Sequence, residues 1–139
     1  MKIDRLRIRK FLSEIQKDTV ELEEFLKASL DDKRTIKAIR YNLIEIIEAV
    51  ANILQHILAK DKGSPSSGYL EIIEFAKKEK IISQSAYAML KPFFEFRNTL
   101  VHRYWTIKDD ILIKNLNVNY RKFYDFIKEI EGYLKISNK

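Results

Sequence analysis

The clearest pattern in the chain is a repeat of apolar side chains at intervals of three and four residues over residues 33–60. This spacing places the apolar groups on one face of an α-helix, because the helix turns once every ~3.6 residues. Three more apolar side chains, at positions 47, 54 and 58, widen the stripe, so the helix can face two neighbours at once. The stripe itself consists of Ile36, Ile39, Leu43, Ile46, Val50, Ile53 and Ile57.

A second row on the same predicted helix carries polar groups, and it lies beside the apolar stripe. It comprises Asn42, Ala49, Asn52 and His56. Polar side chains in such a row can line a cleft or cross an interface. They can also be side chains whose hydrogen bonds are satisfied at the edge of a helical bundle, which is the commoner arrangement.

The N-terminal segment, residues 3–30, is also predicted to be helical. Its apolar side chains recur at a looser spacing of three and four residues among many charges. Asp31 and Asp32 follow this segment, and either offers an N-cap for the next helix. The apolar positions are Ile3, Leu6, Phe11, Ile15, Leu22, Phe25 and Leu26.

Asp61–Gly68 is a loop-rich stretch that is too short for a domain linker. The next two predicted helices follow it. The first of these helices is short and covers residues 68–79. Ser83 can cap the second, which begins near Gln84 and runs past Pro92. The proline there either kinks the helix or opens its next piece.

The last predicted helix starts at Asp109 or Asp110, and its apolar positions form a packing seam. With only three glycines and two prolines, the chain has little material for the tight turns of an all-β fold. We therefore predict an all-α protein, an antiparallel bundle of about five helices in a single domain of residues 1–139. The seam consists of Leu116, Tyr120, Phe123, Ile127, Ile130 and Leu134.

The composition narrows the class of protein further. The chain contains no cysteine, which excludes disulfides, thiolate metal sites and cysteine nucleophiles. Its longest uncharged run, Ala49–Ala59, has eleven residues, whereas a membrane-spanning helix needs about 20. The N-terminus is charged and is followed by no apolar signal segment. We expect a cytoplasmic protein with no membrane association.

The net charge is +6, from 26 Lys and Arg against 20 Asp and Glu. A basic surface attracts nucleic acid, because phosphate contacts release counterions. The same excess is also found in proteins that are merely lysine-rich and soluble.

The stretch of residues 96–105, Phe-Arg-Asn-Thr-Leu-Val-His-Arg-Tyr-Trp, concentrates the groups that can carry chemistry. Arg97 offers a planar fork of donors that suits a phosphate. His102 titrates near neutral pH and can accept or donate a proton. Asn98 precedes His102 by four residues, so its amide can orient the imidazole. Tyr104 lies two turns from Arg97 and can hydrogen-bond a phosphate or stack on a base.

Five residues separate Arg97 from His102, which corresponds to roughly 140° around a helix axis. The two side chains therefore do not converge well within one regular helix. Either the helix ends near His102, or a second subunit brings its own copy of the motif into the same cleft, as a two-fold dimer does. A simpler interpretation also fits, with a cap and a surface salt bridge at a helix end and with Tyr104 and Trp105 as core aromatics.

The pattern Arg97-x4-His102-x-Tyr104 closely resembles the signature of HepT-like proteins, which belong to the HEPN superfamily. The likeness extends over residues 4–135 and includes the long second helix, the Ser- and Pro-containing loop, the short helix before the motif and the acidic pair that starts the last helix. It implies a helical-bundle homodimer whose two motifs face a shared cleft. It also implies a toxin that cleaves RNA without a metal or other cofactor.

The resemblance assigns roles and partners as well. Arg97 and His102 correspond to the catalytic pair, with Asn98 as their polar neighbour. From their own chemistry, Asn98, Arg103 and Tyr104 are the residues expected to bind or orient the substrate. The partner implied is a small nucleotidyltransferase antitoxin, which in some modules silences the toxin by attaching AMP to the tyrosine that corresponds to Tyr104.

The chain departs from the family pattern at Arg103, where the family usually has glycine. A long cation there can add a phosphate contact, or it can narrow the cleft and change the backbone. A second function therefore stays open, that of a non-catalytic module that binds a nucleotide or a nucleotidyltransferase. No metal site is expected, because the other histidine, His56, lies on a separate helix without an acidic ligand set.

Overall fold

The structure, a computed structural model, describes residues 3–28, 30–63, 68–102 and 109–137. These residues form six helices and no strand, which confirms the all-α prediction. For residues 98–102, 109, 136 and 137 the description covers the backbone alone. The helices are α1 (Arg5–Lys27), α2 (Lys33–Asp61), α3 (Tyr69–Lys78), α4 (Gln84–His102), α5 (Asp109–Asn119) and α6 (Lys122–Ser137).

Two helix starts are capped by side chains that the sequence analysis named. The carboxylate of Asp32 accepts a hydrogen bond from the backbone N–H of Arg34 at 3.0 Å, at the start of α2. The hydroxyl of Ser83 accepts one from the N–H of Ala86 at 3.0 Å, at the start of α4. Each cap satisfies an N–H group that has no partner within the helix.

The prediction of about five helices was one too low, because the last predicted helix is divided into α5 and α6. The division falls at Tyr120, whose carbonyl accepts a hydrogen bond from the N–H of Phe123, three residues further on. Just before it, the amide of Asn119 donates to the carbonyl of Asn115 at 3.0 Å. Asparagine side chains compete in this way for backbone groups, which weakens a helix. The predicted seam from Leu116 to Leu134 is nevertheless buried throughout.

α2 is the central helix, and α1 lies antiparallel to it. Near one end of the pair, the N–H of Asp4 donates to Nε2 of His56. Near the other end, the amide of Asn42 donates to the carbonyl of Asp18. By length and composition α2 could cross a membrane, but a buried core helix has the same properties, and most of the apolar residues of α2 are buried in the bundle.

α4 also runs antiparallel to α2. At the start of α4, the N–H and hydroxyl of Ser83 both donate to the carboxylate of Glu129 on α6, at 2.8 and 2.7 Å. One turn further along α6, the hydroxyl of Tyr133 donates to Asp61 at the end of α2. α4 therefore begins near the C-terminal end of α2 and runs back along it. Four phenylalanines fill the core here: Phe93, Phe94, Phe123 and Phe126.

The polar side chains of the row on α2 are satisfied by hydrogen bonds at the edge of the bundle, as the simpler of its two interpretations predicted. Asn42 is bonded to Asp18, and Asn52 donates to the carbonyl of Glu48 at 2.8 Å. His56 accepts the N–H of Asp4 at 2.9 Å, and burial lowers the pKa of its imidazole. Asn42 and His56 therefore join α2 to α1 and the residue before it, whereas Asn52 bonds within its own helix.

Asp18 is a buried carboxyl group with acidic neighbours, and only 7% of this residue is exposed. Burial is the main cause that raises its pKa to about 7. The charge of Glu45 and a hydrogen bond with it raise this pKa further, and Glu21 and Glu14 add smaller effects. The folded protein therefore holds a proton on Asp18 at pH values where the unfolded chain has lost it.

We expect Asp18→Asn to stabilise the protein at pH 8 by on the order of 2 kcal/mol and to have little effect at pH 4. Since the pKa of Asp18 is raised on folding, wild type loses stability as the pH rises from about 4 to about 7. The asparagine is neutral throughout and keeps an oxygen acceptor for Asn42. Urea unfolding of both proteins across this range measures the effect. Glu24→Gln, at an exposed position of the same helix, is the control, and an equal gain there would contradict the assignment.

Candidate functional site

The residues that the sequence singled out lie at the end of α4 and just after it. Arg97, Asn98 and His102 are all in the described part of that helix. The side chains of Asn98 and His102 are outside the description, and Arg103 and Tyr104 lie outside the described residues. Because 97–102 is helical, the positions of Arg97 and His102 are separated by roughly 140° about the helix axis.

Arg97 is held by a carboxylate on the central helix. Its Nε and Nη2 atoms both donate to Oε1 of Glu48, at 3.2 and 3.0 Å. The arginine side chain is 19% exposed and the glutamate side chain is 38% exposed, so the pair lies at the surface of the bundle rather than in its core. Two donors on one carboxylate oxygen restrict the rotation of the guanidinium group.

Tyr69, the first residue of α3, completes this arrangement. The centre of its ring lies 4.1 Å from the guanidinium carbon of Arg97, which is a cation–π distance. Its hydroxyl donates to the other carboxylate oxygen of Glu48. The ring edge packs on Phe94, with centroids 5.9 Å apart. We call Glu48, Tyr69 and Arg97 the arginine cluster.

The environment of Tyr69 keeps its hydroxyl protonated. Burial, and next the hydrogen bond to Glu48 and the charge of Glu48, raise the pKa of Tyr69 to about 12, while Arg97 acts in the opposite direction. Tyr69 is therefore a hydrogen-bond donor at neutral pH and not a base. Its role in the arginine cluster is to fix Glu48 and to support the guanidinium.

Glu48 and Tyr69 were absent from the sequence analysis, which treated Arg97 by itself. One signal for Glu48 was available. It is the single charged side chain between Glu45 and Lys60, in the most apolar stretch of the chain. A charge at such a position needs a partner. Tyr69 gave no comparable signal, because a tyrosine at the start of a short helix is typical of a packing residue.

Chemically, the arginine cluster presents an oriented cation at a protein surface. A guanidinium has five N–H donors, and the contacts to Glu48 use the Nε and Nη2 atoms. Such a group suits binding of a phosphate and stabilisation of charge that develops on it. Within the described residues, no group of three or more His, Asp and Glu side chains is arranged to hold a metal ion.

Solved structures share this architecture at low sequence identity. YutE of Bacillus subtilis, described as a cytosolic protein of unknown function, superposes with a TM-score of 0.87 at 20% identity, covering 97% of this chain and 93% of its own. A tri-AMPylated HEPN toxin of Shewanella oneidensis in complex with its MNT antitoxin gives 0.83 at 19% identity, covering 91% and 97%. A toxin–antitoxin structure with AMP-PNP gives 0.79 at 19% identity, covering 89% and 97%. These likenesses define the class, a helical fold shared with HEPN toxins.

The sequence itself identifies the family. Residues 7–130 match the family described as Ribonuclease HepT-like, which is most of the chain. A comparison with curated proteins gave no match. The chain belongs to the HepT-like ribonuclease family, as its motif predicted.

Proposed function

We propose that this protein is the ribonuclease toxin of a toxin–antitoxin module, and that it cleaves RNA without a metal ion. The observation that carries the proposal is the arginine cluster, because it holds the first residue of the Arg97-x4-His102-x-Tyr104 motif in a fixed orientation. The contact with the ring of Tyr69 constrains the guanidinium in addition to the surface salt bridge with Glu48. Membership of the HepT-like family provides independent support.

The reaction proposed is an internal transesterification. The 2′-oxygen of the RNA attacks the adjacent phosphorus, and the bond from phosphorus to the 5′-oxygen breaks. The 2′-hydroxyl gives its proton to a base and the leaving 5′-oxygen takes one from an acid, so the products are a 2′,3′-cyclic phosphate and a 5′-hydroxyl. His102 is the group suited to these proton transfers at neutral pH.

Arg97 stabilises the negative charge that builds up on the phosphate oxygens. Glu48 and Tyr69 contribute by holding the guanidinium before the substrate arrives, so that little reorganisation is needed in the transition state. Asn98, four residues before His102, is proposed to orient the imidazole. Arg103 and Tyr104 are proposed to contact the RNA next to the cleaved bond.

A homodimer is proposed to complete the site. Positions 97 and 102 lie about 140° apart on one helix, so a single chain does not place both on one substrate phosphate easily. A two-fold axis near the end of α4 brings Arg97 of one chain toward His102 of its partner. The cleft between the chains would then contain two copies of the motif.

The partner proposed for the toxin is a small nucleotidyltransferase antitoxin. The Shewanella oneidensis relative is a HEPN toxin in complex with an MNT antitoxin, and it carries AMP groups. By the same chemistry, Tyr104 is the residue proposed to receive AMP here. Both partners would act in the cytoplasm.

Cleavage of a single-stranded RNA by the purified protein in the presence of EDTA tests the proposal. We expect products with 2′,3′-cyclic or 3′-phosphate ends and no cleavage when the sugar at the scissile position is 2′-deoxy. A requirement for magnesium, or cleavage of the 2′-deoxy substrate, would disprove the mechanism. Expression without harm to growth, together with binding to the nucleotidyltransferase, would instead indicate a non-catalytic module.

Glu48→Ala is expected to lower kcat for RNA cleavage by about 10- to 100-fold, because a guanidinium without its anchor samples unproductive orientations. Glu48→Gln keeps an oxygen acceptor for Arg97 and should retain more activity. Turnover assays on both variants measure the effect, and thermal unfolding checks that they are folded. Wild-type turnover in Glu48→Ala would show that the arginine cluster does not serve catalysis.

A further inference from the structure

One face of α2 continues from the arginine cluster toward the N-terminus of that helix. Lys33, Lys37, Tyr41, Ile44 and Glu48 follow one another at intervals of three and four residues, so they lie in a single stripe. Since α4 runs antiparallel to α2, the stripe extends beyond the end of α4, where the motif lies. It leads away from the proposed site along the surface.

Tyr41 is an exposed aromatic residue on this stripe. It is 62% exposed, whereas most aromatic side chains of the bundle are packed on the core. Tyr41 lies about two turns from Glu48, a rise of about 10 Å along the helix. An exposed ring at this distance from a phosphate-binding arginine is suited to stacking on a nucleotide base, because every base offers a flat π-surface.

A basic groove adjoins the stripe at the start of α2. Its volume is ≈ 700 Å³, which is in the range of small-molecule pockets, and it lies between the start of α2 and α5. Its charged lining has four cations against two carboxylates, which favours an anionic occupant. The cations are Lys33, Lys37, Arg40 and Lys114, the carboxylates are Asp31 and Asp110, and the apolar lining is Leu30, Ile36 and Ile113.

We propose that this stripe and groove form a path for the single-stranded RNA that flanks the cleaved phosphate, with Tyr41 stacked on a base and Lys37 and Lys114 on backbone phosphates. We call it the α2 path. The inference rests on the proposed function, since it places the cleaved phosphate at Arg97. Alternation of cations with an aromatic ring is typical of surfaces that bind single strands without sequence preference. Lys37 lies about 16 Å along α2 from Glu48, enough for a few nucleotides.

Binding of a short single-stranded oligonucleotide with 2′-O-methyl sugars tests the α2 path, because this probe cannot undergo the proposed reaction. Fluorescence anisotropy should show that Tyr41→Ala raises Kd about tenfold, while Tyr41→Phe keeps the ring and the affinity. Lys37→Gln and Lys114→Gln should each lower the slope of log Kd against log salt by about 0.7. Lys128→Gln, at an exposed position on α6, is the matched control and should leave both quantities unchanged.

Equal Kd values for wild type, Tyr41→Ala and Lys37→Gln would overturn the α2 path. A Tyr41→Ala variant that alters the sedimentation coefficient but not the Kd would also overturn it and would assign this face to contact between chains. The two proposals fail separately. If no RNA is cleaved but binding still depends on Tyr41 and Lys37, the proposed function is wrong, and the α2 path stands only as a surface that binds single strands.

Discussion

The Arg97→Ala variant is expected to cleave RNA with a kcat about 10²–10³-fold below that of wild type, the range found when a preorganised donor to a developing charge is removed. The physical reason is that the guanidinium is already fixed by Glu48 and by the ring of Tyr69. A lysine side chain has no planar fork of donors with which to reproduce that orientation. Single-turnover cleavage of a saturating RNA substrate measures the effect on the chemical step.

Arg97→Lys is the matched variant for this prediction. It keeps the positive charge but loses the planar fork, so only a part of the activity should return, with kcat about tenfold or more below wild type. Circular dichroism and thermal unfolding should show both variants folded, since Arg97 lies at the edge of the bundle. Full activity in Arg97→Ala would remove this residue from the mechanism.

His102→Ala is expected to reduce kcat by about 10²–10⁴-fold, the usual contribution of a positioned acid or base. The loss should be larger near neutral pH, where an imidazole exchanges protons most effectively. A pH–rate profile of the variant should lack the inflection that the imidazole gives to wild type. An unchanged profile would show that another group transfers the proton.

Mixing the two variants tests whether the site is shared between chains. In a dimer of one Arg97→Ala chain and one His102→Ala chain, a shared site retains one complete pair of Arg97 and His102. Random exchange should therefore restore roughly a quarter of wild-type activity, because half of the dimers are mixed and each has one of two sites intact. No recovery after subunit exchange would indicate that each chain supplies its own pair.

Most of the fold could be predicted from the sequence, because helix formation here follows local rules. The three-and-four spacing of apolar residues, the caps at Asp32 and Ser83 and the seam of the last segment are all local properties. The number of helices was harder to predict. Before the division at Tyr120 the side chain of Asn119 bonds to the backbone, which weakens a helix, but the apolar spacing continues across it without interruption.

Only the part of the candidate site that is contiguous in the sequence could be predicted. Arg97 and His102 were recognisable as candidates because their motif is contiguous. Glu48 and Tyr69 come from two other helices, and nothing in the residues around Arg97 points to either. Their roles depend on α2, α3 and α4 meeting at one level of the bundle.

By itself, the sequence determined the helical class, most of the helix bounds and the family. It also supplied the motif residues that are proposed to be catalytic. Only the tertiary structure decided that Arg97 is paired with a carboxylate and stacked on an aromatic ring, and that Tyr41 is left exposed beside a basic groove. The reason is physical. Spacing along a helix sets which residues share a face, but the packing of distant helices sets which faces meet and which stay in solvent.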